Sequence, residues 1–362
     1  MNKNFKSFLI SLPSSKSLGY QWNYGSMLGM SLVFQLVTGV ILSINYSSGT
    51  PFESVQYIMY ECNGGWLFRS MHANGASLFF IFIYFHVAKG IYFVSSRLNK
   101  VWASGVVMLL LFMGISFLGY VLLWSQMSYW ASVVITSLLS VIPIWGWSII
   151  FWVWGGFSVT INTVKLFFVL HFLLPWAMLL FIVLHMMFLH ETGSSSLLYT
   201  HSGESKLSFY SLYFYKDIFN VIFFIAFAMF VFISPYFFSD FENYEESNIL
   251  MSPAHIVPEW YFLFAYAILR SIPNKMLGVI LMFVSIMFLV IMFYPSSNYL
   301  SSVKIISFLS YMFFINFVFL SFIGGMPVEE PYIVCGQISS FLYFFIIIMM
   351  SFNTTLVNIT YQ

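Results

Sequence analysis

Long apolar segments alternate with short polar ones along most of this chain. A helix that crosses the roughly 30 Å hydrocarbon layer of a bilayer needs about 20 predominantly apolar residues. Stretches that meet this requirement fall at 27–46, 72–94, 101–124, 166–189, 218–238, 276–294, 303–323 and 332–351. The pattern predicts an all-α membrane protein with eight transmembrane helices.

The segment 129–160 is apolar as well, but its pattern is interrupted. Pro143, Gly146, Gly155 and Gly156 lie within it, and such residues end or kink helices. Short helices that lie at the membrane interface suit this segment better than a further span. Hydropathy alone leaves a ninth span open.

The distribution of basic residues predicts the orientation of the chain. With eight spans, nine Lys and Arg residues lie on the side that carries both termini, and four lie on the opposite side. Because inner loops are enriched in Lys and Arg, both termini are expected on the matrix or cytoplasmic side. A ninth span would give the same division, and only the acidic residues, which contribute little to this rule, favour eight.

Composition supports the membrane assignment and excludes some chemistry. The residues are 60% hydrophobic and 7% charged, whereas soluble domains are about 25% charged. The net charge of +1 gives no reason to expect nucleic-acid binding. Cys62 and Cys335 form no C-x-x-C-H or four-cysteine motif, so covalently attached haem and iron–sulfur ligation by this chain are not expected.

Two of the predicted spans carry histidines at an identical spacing of fourteen residues, His72 with His86 and His171 with His185. Fourteen helical residues complete nearly four turns and rise about 21 Å, so both histidines of a span share one face. With eight spans the two helices run parallel. His72 should then meet His171 toward the outer side, and His86 should meet His185 toward the inner side.

Ionisable groups inside a membrane are functional candidates by default. A single histidine could simply bond a backbone carbonyl of a neighbouring helix. Zinc is a competing metal, but it requires four ligands, and each layer here offers two imidazoles. Two axial imidazoles with a porphyrin in the other four positions form a bis-histidine haem, which suits electron transfer. The spacing therefore predicts two stacked haems.

Glycines repeat the same spacing in the first and third spans. Gly25 and Gly39 are fourteen residues apart, and so are Gly105 and Gly119. Glycine lets a flat ring approach the backbone closely, although small residues are also ordinary packing contacts in membrane helices. Because the spacing matches that of the histidines, these glycines are interpreted as the walls that face the two haems.

Two cations flank the first histidine pair. Arg69 precedes His72 by one turn, and Lys89 follows His86 by one turn. These positions suit charge-assisted bonds to haem propionates. Snorkelling of long basic side chains to the membrane interface is the alternative.

Several motifs together resemble one known family. They are Trp22-Asn-Tyr-Gly25-Ser-Met-Leu-Gly29, Met71-His-Ala-Asn-Gly75, Phe188-Leu-His-Glu-Thr-Gly193 and the long stretch Pro258-Glu-Trp-Tyr-Phe-Leu-Phe-Ala-Tyr266. The chain resembles the cytochrome b family of respiratory cytochrome bc complexes (complex III, ubiquinol:cytochrome c oxidoreductase). The resemblance runs from about residue 20 to residue 350.

The resemblance implies two non-covalent b haems, with His72 and His171 on the low-potential haem and His86 and His185 on the high-potential one. It implies a dihaem four-helix bundle in 1–212 and a four-helix half in 213–362 whose outer loop is 239–275. The expected partners are a Rieske-type iron–sulfur subunit, a c-type cytochrome, other complex III subunits, a second copy of the chain, and lipid of the mitochondrial inner membrane.

The resemblance also implies two sites for ubiquinone and ubiquinol, coupled to proton translocation in a Q cycle. The outer, quinol-oxidising site would comprise Pro258, Glu259, Trp260 and Tyr261, with Tyr120, Trp130 and Tyr266 nearby. The inner, quinone-reducing site would comprise His190, Ser194, Lys216 and Asp217. The catalytic roles would fall to Glu259, Tyr261, His190 and Asp217.

The local sequence is compatible with two of these roles. Glu259 lies in an apolar, aromatic stretch, where desolvation favours the protonated form and suits a proton relay. A capping or surface role is the alternative, because Pro258 suits a first helical turn. His190 and Asp217 flank one inner loop and could protonate quinone, or they could be a solvated pair.

The chain departs from the family pattern at Leu123, Ser125, Ala131 and Ser132, which border the outer quinol site and put its shape in question. Lys89 stands where arginine is usual, so a bidentate contact becomes a single point charge. Two other functions stay open: a dihaem transmembrane reductase without quinone cycling, and a transporter that uses histidines as a proton or metal relay.

Overall fold

The computed structural model describes residues 13–194, 206–292 and 303–360, which are mostly helical. Twelve α-helices occur in these ranges: α1 Tyr24–Ser43, α2 Pro51–Tyr60, α3 Gly65–Tyr92, α4 Asn99–Val121, α5 Gln126–Ser137, α6 Gly146–Trp154, α7 Ile161–Thr192, α8 Phe209–Ile233, α9 Leu263–Arg270, α10 Lys275–Met287, α11 Val303–Gly324 and α12 Tyr332–Thr360. Two short strands, β1 (Pro13–Ser15) and β2 (Lys206–Ser208), pair antiparallel and join the segment before α1 to the start of α8.

Eight of the helices in the described ranges are long and apolar enough to cross a membrane. They are α1, α3, α4, α7, α8, α10, α11 and α12. The prediction of an all-α membrane protein with eight transmembrane helices is confirmed.

The interrupted segment 129–160 contributes two short helices and no span. α5 has 12 residues and α6 has 9, so each is at most about 18 Å long. A capping box in which Ser125 and Ser128 bond each other's backbone N–H groups starts α5. α6 ends at Gly155, whose φ of +64° is a left-handed conformation that glycine adopts without steric cost.

The first four long helices form two antiparallel pairs. α1 packs along α3, and α4 packs along α7. α8 lies against α1 and α3, while in the second half α9 packs on α10 and α11, and α11 packs on α12. The histidine-bearing helices α3 and α7 thus each have a glycine-bearing neighbour along their whole length.

One apolar core connects the two halves of the chain. Its fully buried members include Phe80 from α3, Ile268 from α9, Leu320 from α11 and Ile347 from α12. Across the same boundary, the indole N–H of Trp102 in α4 donates to the carbonyl of Leu289 at 2.7 Å. The proposed division at residue 212 stays a prediction.

Hydrogen bonds hold the outer loop that follows α8 against the start of α5. The backbone N–H of Gln126 donates to the carbonyl of Glu245 at 2.9 Å, and the side-chain oxygen of Gln126 accepts from the N–H of Asn248 at 2.7 Å. The Ser125 hydroxyl donates to Asn243 Oδ1 at 2.9 Å. The loop is therefore fixed beside the outer ends of α4 and α5.

Candidate functional site

Each of the four wall glycines faces one of the four histidines. The pairs are Gly25 with His86, Gly39 with His72, Gly105 with His185, and Gly119 with His171. A Cβ atom at Gly39 would lie 3.1 Å from Cε1 of His72, and one at Gly119 would lie closer still to His171. Side chains at Gly39 and Gly119 would therefore displace the imidazole rings, whereas a Cβ atom at Gly25 or Gly105 would lie 3.6 or 3.4 Å from Cε1 of its histidine, which is an ordinary contact.

The outer histidines face each other at a distance that suits a shared metal ion. The ring centroids of His72 and His171 are 6.2 Å apart, and the ring planes are perpendicular at 89°. Two metal–nitrogen bonds of about 2.0–2.1 Å, plus about 1.1 Å from each nitrogen to its ring centre, give about 6.3 Å. For the inner pair, His185 is close enough to act electrostatically on His86.

Three of the histidines are held through Nδ1 by the helix that carries the facing glycine. His171 Nδ1 donates to the backbone carbonyl of Ile115 at 2.8 Å. His72 Nδ1 lies 2.9 Å from the Thr38 hydroxyl, and His185 Nδ1 lies 2.8 Å from the Ser104 hydroxyl. When Nδ1 carries the proton, the lone pair of Nε2 is available to a metal.

The donor set fits haem iron better than zinc. No group of three or more His, Cys, Asp or Glu side chains converges as a metal site in the described part of the chain. Each layer offers two imidazoles and a glycine on either side, which leaves four coordination positions and space for a flat ring. The residues present therefore fit a bis-histidine haem in each layer.

A cavity of about 290 Å³ brings the outer histidine pair together with residues predicted for quinol oxidation. Arg69, Tyr120, Glu259 and Tyr261 line it, along with His72, His171, Gly39 and Gly119. The candidate haem ligands and the predicted quinol-site residues, which are distant in the sequence, thus line the same cavity. Its walls are mainly apolar side chains of α1, α3, α4 and α7.

The acid–base groups of this cavity have altered proton affinities. Burial raises the pKa of the Glu259 carboxyl to about 7, and the Asp240 carboxylate adds to the rise while Arg69 opposes it. Burial also raises the pKa of the Tyr261 phenol well above its ordinary value, so this hydroxyl stays protonated. The Tyr261 ring stacks on Phe80 at 4.1 Å, which fixes its direction.

The other residues predicted for the outer site are not among the described residues that line the cavity. The indole N–H of Trp260 donates to the Ser77 hydroxyl at 3.2 Å, and Ser77 itself lines the cavity. Trp130 donates to the carbonyl of Asn248 at 3.3 Å. Tyr266 packs under the guanidinium of Arg270 at 4.9 Å. Quinol binding by these three residues and by Pro258 stays a prediction.

At the inner end, α8 is hydrogen-bonded to the start of α1. Asp217 accepts from the Ser26 hydroxyl at 2.6 Å, and the same hydroxyl oxygen accepts from Asn220 at 2.9 Å. Lys216 Nζ donates to the carbonyl of Leu18 at 2.7 Å. This network places a carboxylate and an ammonium group beside the first turns of α1.

The remaining inner residues lie at the end of α7 and just beyond it. His190 is in the last turn of α7, and Ser194 is exposed after it. Most of the connection to α8, residues 195–205, lies outside the described residues. The pairing of His190 with Asp217 therefore stays a prediction. Lys89 Nζ lies 5.1 Å above the ring of Trp22, just before α1.

Several residues in contact with these groups were not identified from the sequence. Thr38 and Ser104 bond the histidines, and each directly precedes a wall glycine, a signal that the sequence did carry. Ser26 and Asn243 had no such signal, because their partners are distant in the chain.

Comparisons with known proteins agree with this architecture. Residues 9–193 match the family described as Cytochrome b/b6/petB, and residues 246–344 match Cytochrome b(C-terminal)/b6/petD. The chain is 52% identical over 347 residues to cytochrome b of Caenorhabditis elegans, a match that covers 95% of this chain and 94% of that protein. It is 53% identical over 339 residues to cytochrome b of Caenorhabditis briggsae, covering 93% and 91%.

A solved structure described as a hyperthermophilic respiratory complex III contains a chain of the same fold. The TM-score is 0.89 at 26% sequence identity, and the match covers 98% of this chain and 96% of that one. Sequence and structure comparisons thus agree over nearly the full length. The chain belongs to the cytochrome b family: it is a multi-pass, haem-binding membrane protein of a respiratory complex III-type oxidoreductase.

Proposed function

We propose that this chain is the dihaem subunit of a ubiquinol:cytochrome c oxidoreductase of the mitochondrial inner membrane, with both termini on the matrix side. It would oxidise quinol at the outer side and reduce quinone at the inner side, coupled to proton translocation. The main support is the outer cavity, where an imidazole pair and the acid–base groups Glu259 and Tyr261 share one chamber.

His72 with His171, and His86 with His185, would be the axial ligands of two b haems. When bound, these groups supply one-electron transfer across the membrane. The wall glycines leave room for the flat rings, and three Nδ1 contacts keep the imidazoles oriented. Arg69, which lines the outer cavity, and Lys89, which follows His86 by one turn, would neutralise propionates.

At the outer site, Glu259 would take a proton from the quinol hydroxyl. A carboxyl group with a pKa of about 7 is partly ionised at neutral pH and can both accept and release a proton. The Tyr261 hydroxyl stays protonated and would orient the substrate as a hydrogen-bond donor. Trp260, Pro258, Tyr120, Trp130 and Tyr266 would shape the surrounding wall.

At the inner site, Asp217 and His190 would deliver protons to reduced quinone, with Ser194 and Lys216 as binding partners. The Ser26 hydroxyl donates to the Asp217 side chain beside the start of α1, and Asn220 in turn donates to the Ser26 oxygen. This network holds the Asp217 carboxyl group in place, and in its protonated form that group would be the proton donor.

Partner subunits follow from the electron balance. Quinol releases two electrons and two protons. In the proposed cycle, one electron would reach the inner quinone through the haems held by the four histidines, which supply one-electron transfer, and the other would leave to a centre outside this chain. Cys62 and Cys335 provide no iron–sulfur ligation motif in this chain. A Rieske-type subunit and a c-type cytochrome, in a homodimeric complex with further subunits, would carry that electron.

Haem quantification and optical spectra of the assembled complex test this proposal. We expect two extractable b haems per chain in the reduced-minus-oxidised spectrum. His72→Ala and His86→Ala should each remove one haem and abolish turnover. His255→Ala, at an exposed histidine in the outer loop, is the matched control and should keep both haems.

The alternatives give different results. A histidine-relay transporter shows no haem spectrum. A dihaem reductase without quinone cycling shows both haems but no quinol oxidation that depends on Glu259. Unchanged quinol oxidation by a His86→Ala complex that has lost a haem would refute the proposed electron path.

A further inference from the structure

One threonine and one serine directly precede wall glycines, and both contact a candidate haem ligand. Thr38 precedes Gly39, and its hydroxyl lies 2.9 Å from His72 Nδ1. Ser104 precedes Gly105, and its hydroxyl lies 2.8 Å from His185 Nδ1. The outer and the inner histidine pair thus each contain one imidazole that is held by a side-chain hydroxyl.

The direction of the Ser104 hydrogen bond follows from its second partner. A serine hydroxyl has one hydrogen and two acceptor lone pairs. Ser104 donates that hydrogen to the backbone carbonyl of Val101 at 2.9 Å. Its oxygen therefore accepts from Nδ1–H of His185, which places the imidazole proton on Nδ1 and leaves the Nε2 lone pair available.

The inner pair depends on this contact more than the outer pair depends on Thr38. In the outer pair both imidazoles are anchored, His72 by a hydroxyl and His171 by the carbonyl of Ile115. In the inner pair, Nδ1 of His86 is buried and has no hydrogen-bond partner among the described residues. Ser104 is consequently the only side chain found to orient an inner imidazole in the described part of the chain.

We propose that Ser104 is a positioning residue that fixes the tautomer of His185 and lowers the midpoint potential of the inner haem. This inference rests on the proposed assignment of His86 and His185 as its ligands. An acceptor on Nδ1–H makes the opposite nitrogen a stronger base. A more basic ligand stabilises oxidised iron more than reduced iron, which corresponds to a lower potential.

Redox titration of both haems in the assembled complex tests this role with three variants. Ser104→Ala removes the acceptor, and Ser104→Thr keeps a hydroxyl. Ser31→Ala is the matched control, because Ser31 also donates to a backbone carbonyl of its own helix, that of Met27 at 2.8 Å. We expect Ser104→Ala to weaken the binding of oxidised haem about tenfold relative to that of reduced haem. This change raises the midpoint potential of the inner haem by about 59 mV for one electron.

The control variants and the outer haem should keep their wild-type potentials. Ser104→Thr and Ser31→Ala should keep the wild-type potential of the inner haem, and the outer haem should be unaffected in all three variants. If Ser104→Ala instead loses the inner haem while Ser104→Thr retains it, the positioning role is also supported. Loss of the haem in both Ser104 variants would overturn it, because packing rather than the hydroxyl would then be responsible.

A Ser104→Ala complex with both haems and unchanged potentials would likewise overturn the inference, since the carbonyl of Val101 would then suffice as acceptor. Failure of the underlying assignment is recognised separately. It would appear as an inner haem that persists in His185→Ala, whatever the result at Ser104.

Discussion

The pH dependence of quinol oxidation should follow the ionisation of Glu259. Burial, with a further contribution from Asp240, raises the pKa of this carboxyl from 4.5 to about 7. The rise corresponds to about 3 kcal/mol of difference between the protonated and ionised forms. At pH 7 about half of the Glu259 side chains are ionised, whereas an ordinary glutamate with a pKa near 4.3 is more than about 99% ionised.

Because the ionised form accepts the quinol proton, the turnover rate should increase with pH, reach half of its maximum near pH 7, and level off about one pH unit higher. Glu259→Gln removes the proton acceptor, and its rate should fall about 100-fold, at the low end for general base catalysis. Asp240→Asn removes a negative charge that raises the pKa of Glu259, so its pH profile should shift toward lower pH.

Asp240→Asn is a conservative change. The Asp240 side chain accepts a hydrogen bond from the backbone N–H of Glu242 at 2.9 Å, and an asparagine oxygen can replace it as a cap. The assay is quinol-dependent reduction of cytochrome c by the assembled complex between pH 5 and pH 9, at saturating quinol. A Glu259→Gln complex with the wild-type rate and pH profile would refute the reasoning, and so would a shift to higher pH in Asp240→Asn.

Three further changes have defined outcomes. Gly39→Val should displace the imidazole of His72, because a Cβ atom at Gly39 would lie 3.1 Å from its Cε1, and should remove one haem from the optical spectrum. Gly29→Val, on the same helix but with open space around it, should retain both haems. Trp102→Phe breaks a buried hydrogen bond between the two halves and should lower the free energy of unfolding by about 1–3 kcal/mol in thermal denaturation. Glu191→Gln removes an exposed ion pair with Lys100 and should change the free energy of unfolding by less than about 1 kcal/mol. A larger loss would contradict the solvent-exposed geometry of this pair.

The spans and the histidine pairs were predictable because they depend on local properties of the chain. Apolar length determines which segments can cross a bilayer, and the eight predicted spans occur in the described ranges. A spacing of fourteen residues places His72 and His86 on one face by helix geometry alone. The interruptions at Pro143 and Gly155 likewise favoured short helices over a ninth span, and the structure has two short helices there.

The outer cavity was less accessible to sequence reasoning. The resemblance named Glu259 and Tyr261, but their position beside His72 depends on how the loop after α8 returns to α4. That return depends on bonds such as those from Ser125 to Asn243 and from Gln126 to Glu245. The two residues of each bond are more than a hundred residues apart, so no local sequence pattern predicts these bonds.

By itself, then, the sequence determined the class of protein, the positions of eight spans and the pairing of histidines along two helices, because helix periodicity and burial of apolar surface act within a segment. Only the tertiary structure decided which glycine faces which histidine and that Thr38 and Ser104 hold His72 and His185. It also decided that the charge of Asp240 adds to the rise in the pKa of Glu259 that burial causes. These features arise from contacts between helices and loops, whose register is set by packing.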